Sequence, residues 1–195
     1  MDDDDLERFT VALGGFAEDP FFEPVPGREH IAAVCRRANE QAPVFAEGWH
    51  SDWSFLAVPP AGTCLRALII PPAGGDTLFA NQHLALERMP ADLRERLRGR
   101  SGIHSARFAY APDGQYGDRA HEADRSMAIR FSDEAYATQR HPVIRRHPET
   151  DREGLFSCLG YIIGIEGMAE AEARALLAEL LAWQTREEFV YRHRW

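Results

Sequence analysis

The sequence predicts an α+β fold that is mainly β, with strands in an antiparallel barrel or jelly roll and helices packed outside. Short apolar runs punctuated by Gly and Pro dominate the middle of the chain, as strands and turns do. Residues 189–195 alternate in side-chain character, which is typical of a strand. Residues 169–184 carry apolar side chains at helical spacing and predict one long amphipathic helix.

The strand predictions rest on segments bounded by turn residues. Residues 54–58 and 63–70 are predicted strands, joined by a turn at residues 59–62 of sequence Pro-Pro-Ala-Gly. Gly74 and Gly75 interrupt the chain before a strand that begins at Thr77. Further strands are predicted at residues 103–110 and in a hairpin of residues 141–147 and 154–158.

The remaining segments are predicted to be helical or irregular. Besides the long helix, helices are predicted at residues 29–39, 82–89 and 91–98. The first 28 residues are predicted to be irregular, because several prolines interrupt them. Residues 111–127 form a polar, Gly-containing loop, which we interpret as a candidate lid.

Composition excludes several classes of function. The net charge of −9 argues against binding the phosphate backbone of nucleic acid. The chain contains no lysine, which excludes Schiff-base chemistry, pyridoxal-phosphate enzymes and a lysine-dependent phosphate loop. No apolar run is long enough to cross a membrane, and the acidic N-terminus is unlike a secretory signal. We therefore predict a cytoplasmic protein whose Cys35, Cys64 and Cys158 are reduced thiols.

The most informative short motif is His50-Ser51-Asp52. In an extended segment, residues two positions apart point to the same side, so the imidazole and the carboxylate converge. They then supply two of the three ligands of a facial triad of two histidines and one carboxylate, which leaves iron positions open. The alternative interpretation is a surface turn or an ion pair.

The surrounding segments resemble the taurine dioxygenase-like family of Fe(II)- and 2-oxoglutarate-dependent oxygenases, which includes alkylsulfatase and 2,4-dichlorophenoxyacetate-type enzymes. The matching segments are residues 49–55, 59–63, 74–81, 141–143, 147–150 and 188–195. The resemblance implies a double-stranded β-helix (jelly-roll) core, incomplete in this chain, and a single oxygenase domain over residues 1–195.

The resemblance also implies roles for individual residues. His50 and Asp52 are the expected iron ligands, and Thr77 is expected to hydrogen-bond a carboxylate of 2-oxoglutarate. Phe79 is expected near the iron, and Tyr161 is expected to face the substrate. Each of the last three has a structural alternative, because Thr starts strands well and aromatic residues at such positions are often core residues.

The sequence departs from the family pattern in three respects. The distal histidine, which is the third ligand, and the arginine that holds 2-oxoglutarate are absent from the chain, so the last core strands are expected to be missing. The usual N-terminal region is short. Ala46 occupies a position where relatives that bind small sulfonates carry Asn, which argues against taurine as the substrate.

The function implied is a dioxygenase that uses Fe(II), 2-oxoglutarate and O₂ to hydroxylate a small anionic substrate, releasing succinate and CO₂. The substrate classes are a sulfonate, a sulfate ester, or an aryloxy or alkyl acid. Two alternatives stay open: an inactive fragment or pseudo-enzyme, and a jelly-roll binding module without iron chemistry. A homo-oligomer is a further expectation, because exposed sheet edges favour pairing.

The other histidines and some arginines receive weaker interpretations. His104, His141 and His147 are expected to be structural, and His193 to be a solvated or interface residue. His30, His83 and His121 are expected at the surface. The candidate arginines for an anionic substrate are Arg107, Arg125 and Arg145.

Overall fold

The computed structural model describes residues 1–42, 44–118, 125–157 and 160–195. The chain divides into two compact units. The first comprises Met1–Gly48, Asp52–Arg66 and Ser105–Ala137, and the second comprises Trp49–Ser51, Ala67–His104 and Thr138–Trp195. Within the described ranges, no helix has the length and apolar character that a membrane span requires. The single oxygenase domain stays a prediction.

The first unit opens with helix α1, Asp3–Leu13, where the sequence predicts irregular structure. That prediction is wrong because a capping box starts the helix. The Asp2 carboxylate accepts from the Asp5 backbone N–H, and the Asp5 carboxylate accepts in return from the Asp2 N–H. The helix buries none of its residues, and the Arg28 guanidinium pairs with Glu7 at 2.9 Å. Caps and ion pairs therefore hold α1, rather than a buried face.

Residues 29–39 do not form the predicted helix. Ala32 instead forms an antiparallel bridge with Pro24, and the Val25 N–H donates to the Ile31 carbonyl oxygen over 2.8 Å. The backbone in this part of the chain thus finds its partners in an extended pairing, which competes with the hydrogen bonds of a helix.

The core of the first unit is aromatic. Tyr110 ends the short helix α4, Arg107–Tyr110, and stacks on Phe21 with ring centroids 4.6 Å apart. The strand predicted for residues 103–110 ends early, because the Ser105 hydroxyl accepts from the Arg107 N–H and turns the chain into α4. The other rings of the cluster are Phe22, Phe45, Trp53, Phe55 and Tyr116.

The second unit contains three helices that agree with prediction. Their bounds are Gln82–Glu87 for α2, Ala91–Leu97 for α3 and Glu170–Gln184 for α5. The predicted apolar stripe of α5 is buried. Leu176, Leu177 and Leu180 pack against α2 and α3 residues in one hydrophobic core, and the Trp183 indole N–H donates to the Ala85 carbonyl oxygen over 2.8 Å.

Among the described residues, the strands form three small sheets. The first pairs β1 (Thr77–Ala80) with β7 (Val190–His193), the second has the order β3 (Thr138–Pro142), β2 (Ser101–Ser105), β6 (Ile162–Ile165), and the third pairs β4 (Ile144–Arg146) with β5 (Glu153–Leu155). The pairs β1-β7, β2-β6 and β4-β5 are antiparallel. The predicted mixture of helices and strands is confirmed, as are the strands at β1 and β7 and the hairpin of β4 and β5.

Two predicted strands are wrong. Residues 54–58 form turns instead, in which the Leu56 N–H donates to the Trp53 carbonyl oxygen over 2.9 Å. Residues 63–70 form no strand, and Ile69 is 92% exposed. As a result, the α-helices hold more residues than the strands in the described part of the chain, so the emphasis on β structure was too strong.

Candidate functional site

His50 lies in the second unit, in a segment that is not a strand. Two neighbours fix its position. A Cβ on Gly160 would lie 2.8 Å from the His50 Cβ, so only glycine allows the two backbones to approach this closely. The edge of the Tyr161 ring meets the imidazole at 6.3 Å between centroids, and Tyr161 is only 5% exposed. Tyr161 is therefore a buried support for the imidazole.

Asp52 lies in the first unit and is partly buried. Its carboxylate accepts a hydrogen bond from the Thr63 hydroxyl. Such a bond orients a carboxylate that coordinates a metal and is a common supporting contact in metal sites. The pairing of Asp52 with His50 around one ion stays a prediction.

His50 is part of the wall of a pocket of about 170 Å³ in the second unit. The neighbours of His50 in sequence supply part of the wall, and the rest comes from β1, the start of α2, the end of β5 with Ser157 after it, and the end of α5. The lining side chains that matter chemically are Trp49, His50, Phe79, Gln82, Ser157 and Gln184. The pocket thus combines an imidazole with apolar rings and uncharged polar groups, a mixture typical of small-molecule sites.

Thr77 and Phe79 belong to β1. Thr77 pairs with His193 in β7, and the Trp195 indole N–H donates to the Thr77 hydroxyl oxygen over 3.0 Å. Phe79 lines the pocket, stacks on Tyr191 at 6.4 Å between centroids and is 53% exposed. Phe79 therefore lines the same pocket as His50, whereas Thr77 is not among the residues that line it.

Two glutamines in the pocket differ in their hydrogen bonding. The Gln184 side chain is buried, its Nε2 donates to the Ser157 carbonyl oxygen over 2.8 Å, and its Oε1 lies 3.4 Å from the Ser157 hydroxyl. Gln82 donates from Nε2 to the Ala80 carbonyl oxygen over 3.2 Å. The Gln82 Oε1 is buried and has no hydrogen-bond partner within the described ranges.

The donor types of His50, which lines the pocket, and of Asp52, which lies in the first unit, fit an iron site in part. An imidazole and a carboxylate are donors that ferrous iron takes in oxygenases, and His50 and Asp52 supply one of each. Within residues 1–42, 44–118, 125–157 and 160–195, no three His, Cys, Asp or Glu side chains are grouped in a way that suits a metal ion.

His104 and His141 lie in the interior of the second unit. Their exposures are 1% and 9%, and their rings meet edge to face at 5.2 Å between centroids. Phe156 stacks on His104 at 5.6 Å. Burial lowers the pKa of His104 to about 4, and repulsion from His141 adds to this effect. Both side chains occupy packed interior positions, as the structural interpretation expects.

The three candidate arginines each stack on an aromatic ring. The distance from the guanidinium carbon to the ring centroid is 5.3 Å for Arg107 over Phe108, 4.8 Å for Arg125 over Tyr116 and 4.3 Å for Arg145 over Phe156. The ring centroids of His147 and His83 are 5.9 Å apart, and the His83 Nδ1 is 2.7 Å from the Glu153 carbonyl oxygen. The other residues of interest, His121, Cys158 and part of the candidate lid at 111–127, lie outside the described residues.

A profile of the taurine catabolism dioxygenase TauD, TfdA family matches residues 1–195, the whole length of the chain. The chain belongs to the TauD/TfdA family. This result confirms the resemblance stated from the His-x-Asp motif and its surrounding segments.

Named relatives of this TauD/TfdA chain act on different substrates. It is 38% identical over 164 residues to the alpha-ketoglutarate-dependent 2,4-dichlorophenoxyacetate dioxygenase of Cupriavidus pinatubonensis, a match that covers 82% of this chain and 52% of the relative. It is 31% identical over 196 residues to the alpha-ketoglutarate-dependent sulfate ester dioxygenase of Pseudomonas putida, covering 100% of this chain and 62% of the relative.

A solved structure gives the same family relationship. The taurine dioxygenase from Burkholderia xenovorans superimposes with a TM-score of 0.59 and 32% identity, covering 76% of this TauD/TfdA chain and 45% of that one. The chain therefore spans about half the length of the relatives that it matches.

Sequence reasoning missed the polar residues of the pocket in this TauD/TfdA member. Gln184 carried a usable signal, because it continues the buried stripe of α5 four residues after Leu180, and a polar side chain on a buried face needs a partner. Gln82 carried no such signal, since it is an ordinary first residue of a helix. Ser157 carried none either.

Proposed function

We propose that the intact protein is an Fe(II)- and 2-oxoglutarate-dependent dioxygenase that hydroxylates a small anionic molecule. The observation that carries the proposal is the fixed imidazole of His50 in the wall of a pocket of about 170 Å³, in a chain of the TauD/TfdA family. The names of the relatives support 2-oxoglutarate as co-substrate. They also support a substrate of the sulfonate, sulfate ester or aryloxy acid class.

His50 and Asp52 would hold the iron. The imidazole of His50 is kept in place by the Tyr161 ring and by the close approach of Gly160. The Thr63 hydroxyl orients the Asp52 carboxylate. When bound, ferrous iron together with 2-oxoglutarate and O₂ supplies the oxidising chemistry that converts a C–H bond into C–OH and releases succinate and CO₂.

Thr77 would bind a carboxylate of 2-oxoglutarate. Its hydroxyl oxygen already accepts a hydrogen bond from the Trp195 indole over 3.0 Å. A hydroxyl carries one proton and two lone pairs, so this contact leaves the Thr77 proton available to a carboxylate oxygen. The indole thus also restricts the rotation of the hydroxyl and orients its donor.

Phe79 and the apolar part of the pocket would exclude water from the reacting atoms. Phe79 stacks on Tyr191 and lines the same pocket as His50. A dry pocket strengthens the electrostatic interactions within it and suppresses side reactions. We further propose that the three small sheets are parts of a double-stranded β-helix, the arrangement that the antiparallel pairing of β1-β7, β2-β6 and β4-β5 supports.

An anaerobic titration tests the proposal. Fe(II) and 2-oxoglutarate are added separately and together to the full chain, and visible absorption is recorded. We expect a band that forms only when both are present, and that His50→Ala abolishes. His30→Ala is the matched control, because His30 stacks on Phe16 in the first unit and should leave the band unchanged.

Two outcomes would contradict the proposal. A band of equal strength in His50→Ala would show that His50 is not a ligand. A wild-type chain that forms no band, yet still binds a small anionic molecule, would favour the binding module without iron chemistry. Asp52→Asn should weaken the band as well, because it removes the carboxylate charge and keeps the shape of the side chain.

A further inference from the structure

The Gln82 carboxamide has an orientation that its surroundings determine. Its Nε2 donates to the Ala80 carbonyl oxygen over 3.2 Å. Exchanging the amide nitrogen and oxygen would bring two acceptor oxygens together, which is unfavourable. The oxygen Oε1 therefore occupies the other end of the amide, where it is buried and has no hydrogen-bond partner in the described part of the chain.

Buried polar atoms without a partner are rare in folded proteins, and each requires an explanation. Gln184, in the same pocket, shows the ordinary arrangement, because its amide is bound to both the carbonyl oxygen and the hydroxyl of Ser157. Gln82 and Gln184 share one pocket with His50, yet among the described residues the Gln184 amide has partners for both of its ends and the Gln82 oxygen has none. Since residues 1–42, 44–118, 125–157 and 160–195 supply no partner for Gln82 Oε1, the difference points to a ligand in the pocket as its partner.

We infer that Gln82 Oε1 accepts a hydrogen bond from the bound substrate, so that the pocket selects a small acid that also carries an O–H or N–H donor. The inference rests on the proposed function, in which the pocket beside His50 receives the substrate. The co-substrate 2-oxoglutarate carries only carboxylates and a ketone at neutral pH, so it offers no donor to Oε1. The donor therefore belongs to the molecule that is hydroxylated.

The unoccupied protein provides a first test, by thermal unfolding of the full chain. Gln82→Met keeps the length of the side chain and removes the unpartnered oxygen, so Tm should stay the same or rise. Gln184→Met is the matched variant, because it breaks two hydrogen bonds to Ser157 and should lower Tm. If Gln82→Met lowers Tm as much as Gln184→Met, the oxygen already has a partner and the inference is wrong.

A second test measures selectivity with two probes of similar size, 2-hydroxyethanesulfonate and propane-1-sulfonate, which differ by a hydroxyl in place of a methyl group. Binding is measured by calorimetry in the presence of Fe(II) and 2-oxoglutarate without O₂. We expect the wild-type chain to prefer the hydroxyl compound by about fivefold to tenfold, and Gln82→Met to lose the preference.

The outcomes separate this inference from the proposed function. An equal preference in the wild-type chain and in Gln82→Met overturns the inference, and so does the absence of binding of both sulfonates to the wild-type chain. Failure of the proposed function appears elsewhere, as a missing absorption band in the titration with iron and 2-oxoglutarate. Each conclusion therefore has its own readout.

Discussion

At the scale of single residues, His104 shows how burial changes the chemistry of a side chain. The imidazole is 1% exposed, lies against His141 and stacks on Phe156, which also contacts His141 and the Arg145 guanidinium. Removing an imidazolium from water is unfavourable, so burial lowers the pKa of His104 to about 4, and the proximity of His141 acts in the same direction. The neutral form is therefore the one that the fold accommodates.

This environment predicts a loss of stability in mild acid. Above pH 6.5, the imidazole is neutral in both the folded and the unfolded chain, and its contribution to stability is fully present. As the pH falls from 6.5 to about 4, only the unfolded chain binds the proton, so the free energy of unfolding decreases. The loss is complete below pH 4 and amounts to on the order of 3 kcal/mol.

Urea unfolding at several pH values measures this effect. His104→Phe keeps a ring of similar size against Phe156 and removes the titrating group, so its stability should depend less on pH than that of the wild-type chain. His147→Gln is the control, because His147 is exposed and should keep the wild-type dependence. Identical pH dependences for the wild-type chain and His104→Phe would contradict the assignment.

At the scale of secondary-structure elements, helix α5 was the most predictable part of the fold. Its apolar residues recur at helical spacing, and Ala173, Leu176, Leu177 and Leu180 of that stripe are buried in the second unit. β1 was predictable for a different reason, since Gly74 and Gly75 mark where a new segment starts. In both cases, the sequence signal agrees with the observed element.

The failures have a common physical cause. Residues 63–70 carry a good strand pattern, but a strand needs a hydrogen-bonded neighbour, and none forms there among the described residues. α1 was missed because its stability comes from Asp2, Asp5 and Arg28 rather than from an apolar stripe. Local patterns report burial well, but they do not report long-range pairing or surface ion pairs.

The candidate site was only partly predictable, because local sequence patterns reveal some of its residues and the three-dimensional environment determines the others. His50 and Phe79 stand in short motifs that sequence reasoning detects, and both line the pocket. Gln82 enters the site only through its position at the start of α2, beside β1. No spacing in the sequence encodes that its oxygen is buried and unpartnered, because this property depends on the three-dimensional environment.

The packing of α5 predicts the effect of a core truncation. Leu180 is 0% exposed and contacts the hydrophobic core of the second unit. Leu180→Ala should lower the free energy of unfolding by about 2–5 kcal/mol, because it removes buried methyl groups and leaves a cavity. Chemical denaturation followed by circular dichroism measures this change.

The matched variant on the same helix is Glu172→Ala, at an exposed position. Surface substitutions of this kind usually change stability by less than about 0.5 kcal/mol. Equal effects of Leu180→Ala and Glu172→Ala would show that the two side chains are similarly exposed. Leu180 would then not be buried in the core of the second unit.

At the scale of the whole molecule, net charge and exposed apolar surface have opposite effects on association between copies of the chain. The net charge is −9 at pH 7, and the isoelectric point is about 5.4. Like charges keep copies of a protein apart, and this repulsion disappears near the isoelectric point. Three consecutive apolar side chains are exposed and carry no charge, with exposures of 75%, 92% and 52% for Leu68, Ile69 and Ile70. Exposed apolar patches of this kind promote association.

Association of the chain should therefore increase as the pH falls from 7 toward the isoelectric point of about 5.4. Ile69→Ser should reduce that association, because it removes the most exposed apolar side chain of the three and leaves the net charge unchanged. Static light scattering over this pH range measures the effect. A substitution at a buried apolar position is unsuitable as a control here. Val143→Ala, for example, would change stability, because Val143 is fully buried.

Acid destabilisation through His104 acts in the same pH range, and the two effects must be separated. The His104→Phe background removes the titrating imidazole and keeps the exposed segment at residues 68–70. If exposed apolar surface drives the association, Ile69→Ser should reduce scattering equally in the wild-type and His104→Phe backgrounds. If Ile69→Ser has no effect in either, unfolding in acid is the cause, because a partly unfolded chain exposes apolar side chains from the whole core rather than from this segment alone.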